Sequence, residues 1–107
     1  MQPFKSFGTH KLLSQAPKEL LTHFSVVGVK KHCSYAIDYS YKTLKQHKRI
    51  QTLTLIFPSL LSQKELKTLY NIQKFGCKIY FFTRKKDLSF EDSKILSQVG
   101  ILLYYNQ

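Results

Sequence analysis

The residues in this chain with the most chemistry to offer are cations, and they come in clusters. Lys30 and Lys31 adjoin, Lys42, Lys45, His47, Lys48 and Arg49 crowd one turn-like stretch, Arg84-Lys85-Lys86 form a third group, and Lys11 stands near the start. Seventeen Lys and Arg oppose six Asp and Glu, for a net charge of +11 over 107 residues. Solubility alone needs a net charge of only about 2–8 in a small domain. The excess therefore points to a polyanionic partner, a nucleic acid first and an anionic membrane surface second. Each of these clusters reads either as a solvated loop or as a phosphate contact, and their recurrence favours phosphate.

Acid–base chemistry is less well supplied. His23, His47, Tyr80 and Arg84 are the candidates for a general base, an acid and a phosphate clamp, the set a small basic ribonuclease of the toxin type would need. No motif gathers them, so the expectation is a protein that is not an enzyme and takes no small-molecule substrate. Cys33 and Cys77 are too far apart for a Cys-x-x-Cys pair, and the four histidines are scattered. No metal site and no cofactor are expected, and the two thiols read as buried and reduced. No apolar run approaches the roughly 18 residues of a membrane helix, so no spanning segment is expected, and between the two polyanionic partners the nucleic acid, not a membrane, is the expected one. MQPFKSF at the start has neither the apolar segment of a secretory signal nor the arginines of a transit peptide.

The elements that must position these cations are read from periodicity. Met1–Phe7 is a short edge strand, since Pro3 bars a central position. In His10–Gly28, Leu13, Ala16, Leu20, Phe24 and Val27 follow steps of three or four, which predicts an amphipathic helix stopped by Gly28. Cys33, Tyr35, Ile37, Tyr39 and Tyr41 alternate with smaller or polar residues, which predicts a strand with an aromatic face, for sheet packing or for base stacking. Ile50–Phe57 is a continuous apolar run ended by Pro58, a buried strand. Ser62-Gln-Lys-Glu65 has the form of a capping box before Leu66, Leu69 and Tyr70, which suits a short helix, although Tyr70-Asn-Ile72 also suits a strand. Lys78–Thr83 is a strand. Leu88–Val99 is a second amphipathic helix, capped by Ser89 with Glu91 and Asp92 in its first turn. Ile101–Tyr105 closes as a strand.

That order is βαββαβ. It predicts a single α+β domain over residues 1–107, a ferredoxin-like plait with an antiparallel four-stranded sheet and two helices on one face.

In Phe7, His10-Lys-Leu-Leu13, Gln15, Lys18-Glu19-Leu-Leu21 and Gly28, followed by Thr54-Leu-Ile-Phe57-Pro58, Tyr70-Asn-Ile72 and Gly100-Ile-Leu-Leu-Tyr-Tyr105, the chain resembles the small-ribosomal-subunit protein S-ten family. The resemblance covers nearly the whole chain. It departs in lacking the proline-rich link after the first helix, in Gly8-Thr9 before the histidine, and in Gln73-Lys74-Phe75 where the family has Arg-x-His. The resemblance implies a structural constituent of the ribosome with a role in translation. Lys11, Lys30, Lys31, Lys42, Lys45, Lys48, Arg49, Arg84, Lys85 and Lys86 would then bind small-subunit ribosomal RNA. A long hairpin, about residues 50–82, would reach toward head proteins of the S-three, S-nine and S-fourteen types. Within it Ser59–Thr68 would be the loop and Leu69–Phe82 mostly strand. Pro58, Leu60 and Leu61 at its tip would either dock on a neighbour or fold back on themselves. The departures and a composition suited to AT-rich codons imply a divergent mitochondrial member, in the matrix and organelle-encoded, with a bacterial cytoplasmic one as the alternative. Phe75-Gly76-Cys-Lys-Ile79 and Gly100-Ile101 are also similar to a phosphodiesterase-like domain, which would need a His-x-Lys motif beyond the last strand. A free-standing RNA-binding module is the remaining alternative.

Overall fold

In the computed structural model, residues 4–8, 18, 24–58 and 61–105 are described. The described strands and α-helices are, in order, β1 (Phe4–Phe7), β2 (Ser25–Val29), α1 (Cys33–Lys45), β3 (Thr52–Ile56), α2 (Gln63–Lys74), β4 (Lys78–Thr83), α3 (Phe90–Val99) and β5 (Ile101–Tyr104), strand and helix alternating from β2 onward. The strands form one sheet in chain order, β1-β2-β3-β4-β5. Every neighbouring pair is parallel, with Val27 beside Thr54, Thr54 beside Tyr80, and Tyr80 beside Ile101. The antiparallel plait with two helices is thereby overturned, and the extended hairpin over 50–82 with it. Those residues hold β3, α2 and β4.

The reason lies in how the middle strands are buried. SVVGV, TLTLI and most of KIYFFT are inaccessible on both faces, the pattern of parallel strands rather than of a half-wet antiparallel sheet. A parallel pair needs a crossover, and a crossover of this kind is right-handed almost without exception. Because each new strand is laid on the same side of the last, the three crossovers after β2 put α1, α2 and α3 on one face, and α1 packs beside α2 and α2 beside α3. The main core lies between that layer and the sheet: Val26, Leu53, Leu55, Ile79 and Phe81 from the strands meet Ala36, Ile37, Leu69, Ile72, Leu96 and Val99 from the helices. The opposite face carries a smaller buried cluster of Val27, Val29, Ile56 and Phe82.

Three local expectations change. The Cys33–Tyr41 stretch is helix, not strand. Positions 33, 37 and 41 satisfy a period of two and a step of four alike, but Cys33, Ala36, Ile37, Ser40 and Leu44 are the buried ones, a helical stripe. Tyr35 and Tyr39 are exposed, so no continuous aromatic strand face exists there. Of the stretch His10–Gly28 expected as helix, Phe24 is a turn and 25–28 belong to β2, while residues 10–17 and 19–23 lie outside the described residues. The helix begun by Ser62 is real: Ser62 Oγ accepts from Glu65 N at 3.1 Å, and Glu65 Oε1 accepts from Ser62 N at 3.0 Å. The capping box outweighs the hairpin that the family resemblance implied. Lys78–Thr83, the helix behind Ser89 and the final strand are found as expected.

Gly28 is not a helix stop. It sits in β2 under α1, where an added Cβ would lie 2.7 Å from Ala36 Cβ and 2.9 Å from Cys33 Cα. Only a residue without a side chain lets helix and strand approach so closely. Gly28→Ala should therefore destabilise the fold by about 1–3 kcal/mol, as overpacking does, read as a lower urea midpoint at unchanged slope.

Candidate nucleic-acid interface

In a helix–sheet layer of this kind the helices run antiparallel to the strands. All helix N-termini and strand C-termini share one edge, here termed the carboxyl edge, and all helix C-termini and strand N-termini share the other, the amino edge. The sequence-selected cations divide between the two.

The carboxyl edge receives Lys30 and Lys31, in a 3-10 turn after β2, and Arg84, Lys85 and Lys86, after β4. It also receives four of the chain's six carboxylates, Glu65, Asp87, Glu91 and Asp92, because helix N-termini favour acids. Arg84 Nε donates to Asp87 Oδ2 at 2.7 Å. Ser34 Oγ donates to Glu65 Oε2 at 2.6 Å, tying α1 to α2. Burial alone would raise the Glu65 carboxyl, but the hydrogen bonds from Ser34 and Ser62 outweigh it and hold the group below its ordinary value. Lys64, in the first turn of α2, is a sixth cation here, so six cations face four carboxylates at this edge among the described residues. The strands, laid down in order, also offer no topological switch point, the crevice where open α/β sheets usually bind cofactors.

The amino edge is different. Lys42 and Lys45 end α1, Lys48 and Arg49 precede β3, Lys74 ends α2, and Lys78 opens β4. All six are exposed. Among the described residues the one carboxylate near them is Asp38, a turn back along α1 and 3.0 Å from Lys42 Nζ. The strand starts are held side by side: Gln51 N donates to Phe24 O at 2.7 Å, and Lys78 N donates to Gln51 O at 3.0 Å. Adjacent strands lie about 4.8 Å apart, so the cations at the starts of β3 and β4 share a short rim with Phe24 at the start of β2.

Aromatic rings sit among these cations. Arg49 Cζ lies 5.4 Å from the Phe24 ring, Lys45 Nζ 5.1 Å from Tyr41 and Lys74 Nζ 4.8 Å from Tyr70. Phe75, at the end of α2, meets Tyr41 edge-on at 6.5 Å.

The structure thus brings Lys42, Lys45, Lys48 and Arg49 together and parts them from Lys30, Lys31, Arg84, Lys85 and Lys86. Lys11 lies outside the described residues. Sequence reasoning does not find Lys74, Lys78 or the rings of Phe24, Tyr70 and Phe75, and it selects Tyr41 only as part of a strand face. The available signal was Gly76 between a capped helix and a strand, which marks a helix–strand turn flanked by both lysines. Of the expected hairpin-tip residues, Leu60 lies outside the described residues. Pro58 and Leu61 line a cleft of about 600 Å³ between the start of α2 and α3, with Leu66, Leu88 and Leu96. The ribonuclease candidates do not converge: His47 is at the amino edge, Tyr80 lies within β4 and Arg84 follows it at the carboxyl edge. At a rise of about 3.3 Å per residue, β4 separates the two edges by roughly 17 Å. His23 lies outside the described residues. Among the described residues, no three His, Cys, Asp or Glu side chains gather as a metal site would need, and no helix is long and apolar enough to cross a membrane. Comparison of the chain with family models, curated proteins and solved structures finds no match.

Cys33 and Cys77 are both buried and unpaired. Burial pushes each thiol up to about 12. Both should resist Ellman's reagent at pH 8 in the folded protein and react as two equivalents in urea. A lowered carboxyl pKa stabilises the fold above the unfolded value, and that stability is lost as pH falls through the folded one. Ser34→Ala, which removes one of the bonds holding Glu65 down, should therefore lower stability near pH 7 and leave stability in acid, below the folded carboxyl's titration, nearly unchanged, so that urea midpoints followed by circular dichroism fall less steeply with acidification than in the parent.

Proposed function

We propose that this chain is an RNA-binding domain that grips phosphates with its amino edge. One observation carries the reading: six exposed cations, Lys42, Lys45, Lys48, Arg49, Lys74 and Lys78, share that edge with a single carboxylate among the described residues. Exposed lysines are point charges on flexible stems. They neutralise phosphates without reading sequence, and the counterions they release make binding steeply salt-dependent. Rings interleaved with the cations add surface on which bases can lie.

The ribosomal reading rests on the stretches that resemble the S-ten family, and the parallel sheet is not the plait that this resemblance implied. The free-standing module is the reading carried forward. The scatter of His47, Tyr80 and Arg84 gives no assembled acid–base set for the ribonuclease alternative. Retention at one copy per small subunit after a salt wash would return the chain to the ribosomal class.

The direct test is the salt dependence of RNA binding, followed by fluorescence anisotropy. Replacing Lys45, Lys48 and Arg49 together by alanine should flatten the plot of log K against log salt by about 2, at roughly 0.7 for each single-strand phosphate that is no longer neutralised. Replacing Lys30, Lys31 and Lys85 should leave the slope nearly unchanged. The reverse ranking would move the interface to the carboxyl edge.

A further inference from the structure

The rings at the amino edge carry the reading one step further. Phe24 is 48% exposed, Tyr70 50% and Phe75 50%. Tyr70 and Phe75, two large half-exposed rings at one end of so small a domain, would be a liability for solubility unless something covers them. Each of the three rings stands beside a cation or a ring that has one: Arg49 at Phe24, Lys74 at Tyr70, and Tyr41 with its Lys45 at Phe75. The cations supply attraction for a polyphosphate chain, and the rings supply apolar faces at the same place. A paired duplex presents its phosphates outward and keeps its bases stacked inside, so it can satisfy the cations and not the rings. An unpaired strand can satisfy both, because every base has a face to lay on an aromatic ring. The protein rings are also held ready. Phe24 keeps a left-handed backbone, with φ 64°, while its carbonyl accepts from Gln51 N, and Phe75 caps α2 against Tyr41.

We infer that the amino edge selects single-stranded over double-stranded nucleic acid by stacking unpaired bases on Phe75 and Tyr70. This rests on the phosphate-gripping reading of the same edge and names its substrate class.

The test uses the whole chain with a labelled single-stranded 12-mer RNA, the duplex formed with its complement, and inorganic polyphosphate. The chain has no tryptophan, so Phe75→Trp creates a lone reporter at the platform. Its fluorescence should be quenched by the single strand and left unchanged by saturating duplex or polyphosphate. Phe75→Leu and Tyr70→Leu, both at half-exposed positions, should each weaken single-strand binding by roughly 5- to 150-fold, the range of one base–aromatic stack. Their salt slopes and their duplex affinity should stay at the unsubstituted values, and unchanged circular dichroism checks the fold. If the leucine variants bind the single strand as well as the parent, or lose single strand and duplex equally, stacking is overturned while the phosphate reading stands. If no nucleic acid binds with a salt-dependent affinity, both fall together.

Discussion

Everything distinctive in this molecule follows from the order in which its strands are laid down. A parallel sheet built strictly in sequence, with right-handed crossovers, has to place its helices in one layer and point them all the same way. Three helix C-termini, with their exposed carbonyls and partial negative charge, then fall at one edge, and lysines are favoured there. Helix N-termini with their acids fall at the other. The charge asymmetry between the edges is therefore a property of the topology as much as of any single residue. Lys42, Lys45 and Lys74 satisfy helix ends and, because those ends are aligned, become neighbours. Lys48, Arg49 and Lys78 join them because the strands start where the helices stop.

What was legible in the sequence was local. Ser62 with Glu65, Ser89 with Asp92, and the β-rich run Lys78–Thr83 name their own structures, since capping and β-branched or aromatic enrichment act over a few residues. Two errors came from patterns that fit two periods at once. Cys33, Ile37 and Tyr41 are four apart and also an even number apart. Phe24 and Val27 continue a helical step into what is β2. Strand direction was not written in any short pattern. The hint was the unbroken burial of Val26–Val29 and Leu53–Ile56, which a sheet wet on one face would not need.

The candidate site was half legible for the same reason. Charge clusters can be read from sequence, but which clusters meet depends on which edge each one reaches. Lys30 and Lys31 are closer in sequence to Lys42 than Lys78 is, yet a 13-residue helix carries the chain from one edge to the other between them. Lys78, 36 positions beyond Lys42 in the chain, returns to the same edge because two further crossings intervene. The hairpin implied by the S-ten resemblance stands where the structure has α2, and so hides this return.

The in-order sheet also sets how the fold comes apart. Each strand–helix unit touches chiefly the unit before it and the unit after, so the domain behaves as a short stack rather than a knot of distant contacts. The outer members, β1 and β5, are four residues each and have a neighbour on one side only. Loosening then begins at the flanks and moves inward, and β3, enclosed by two strands on either side, is the last to surrender its amide protons to solvent.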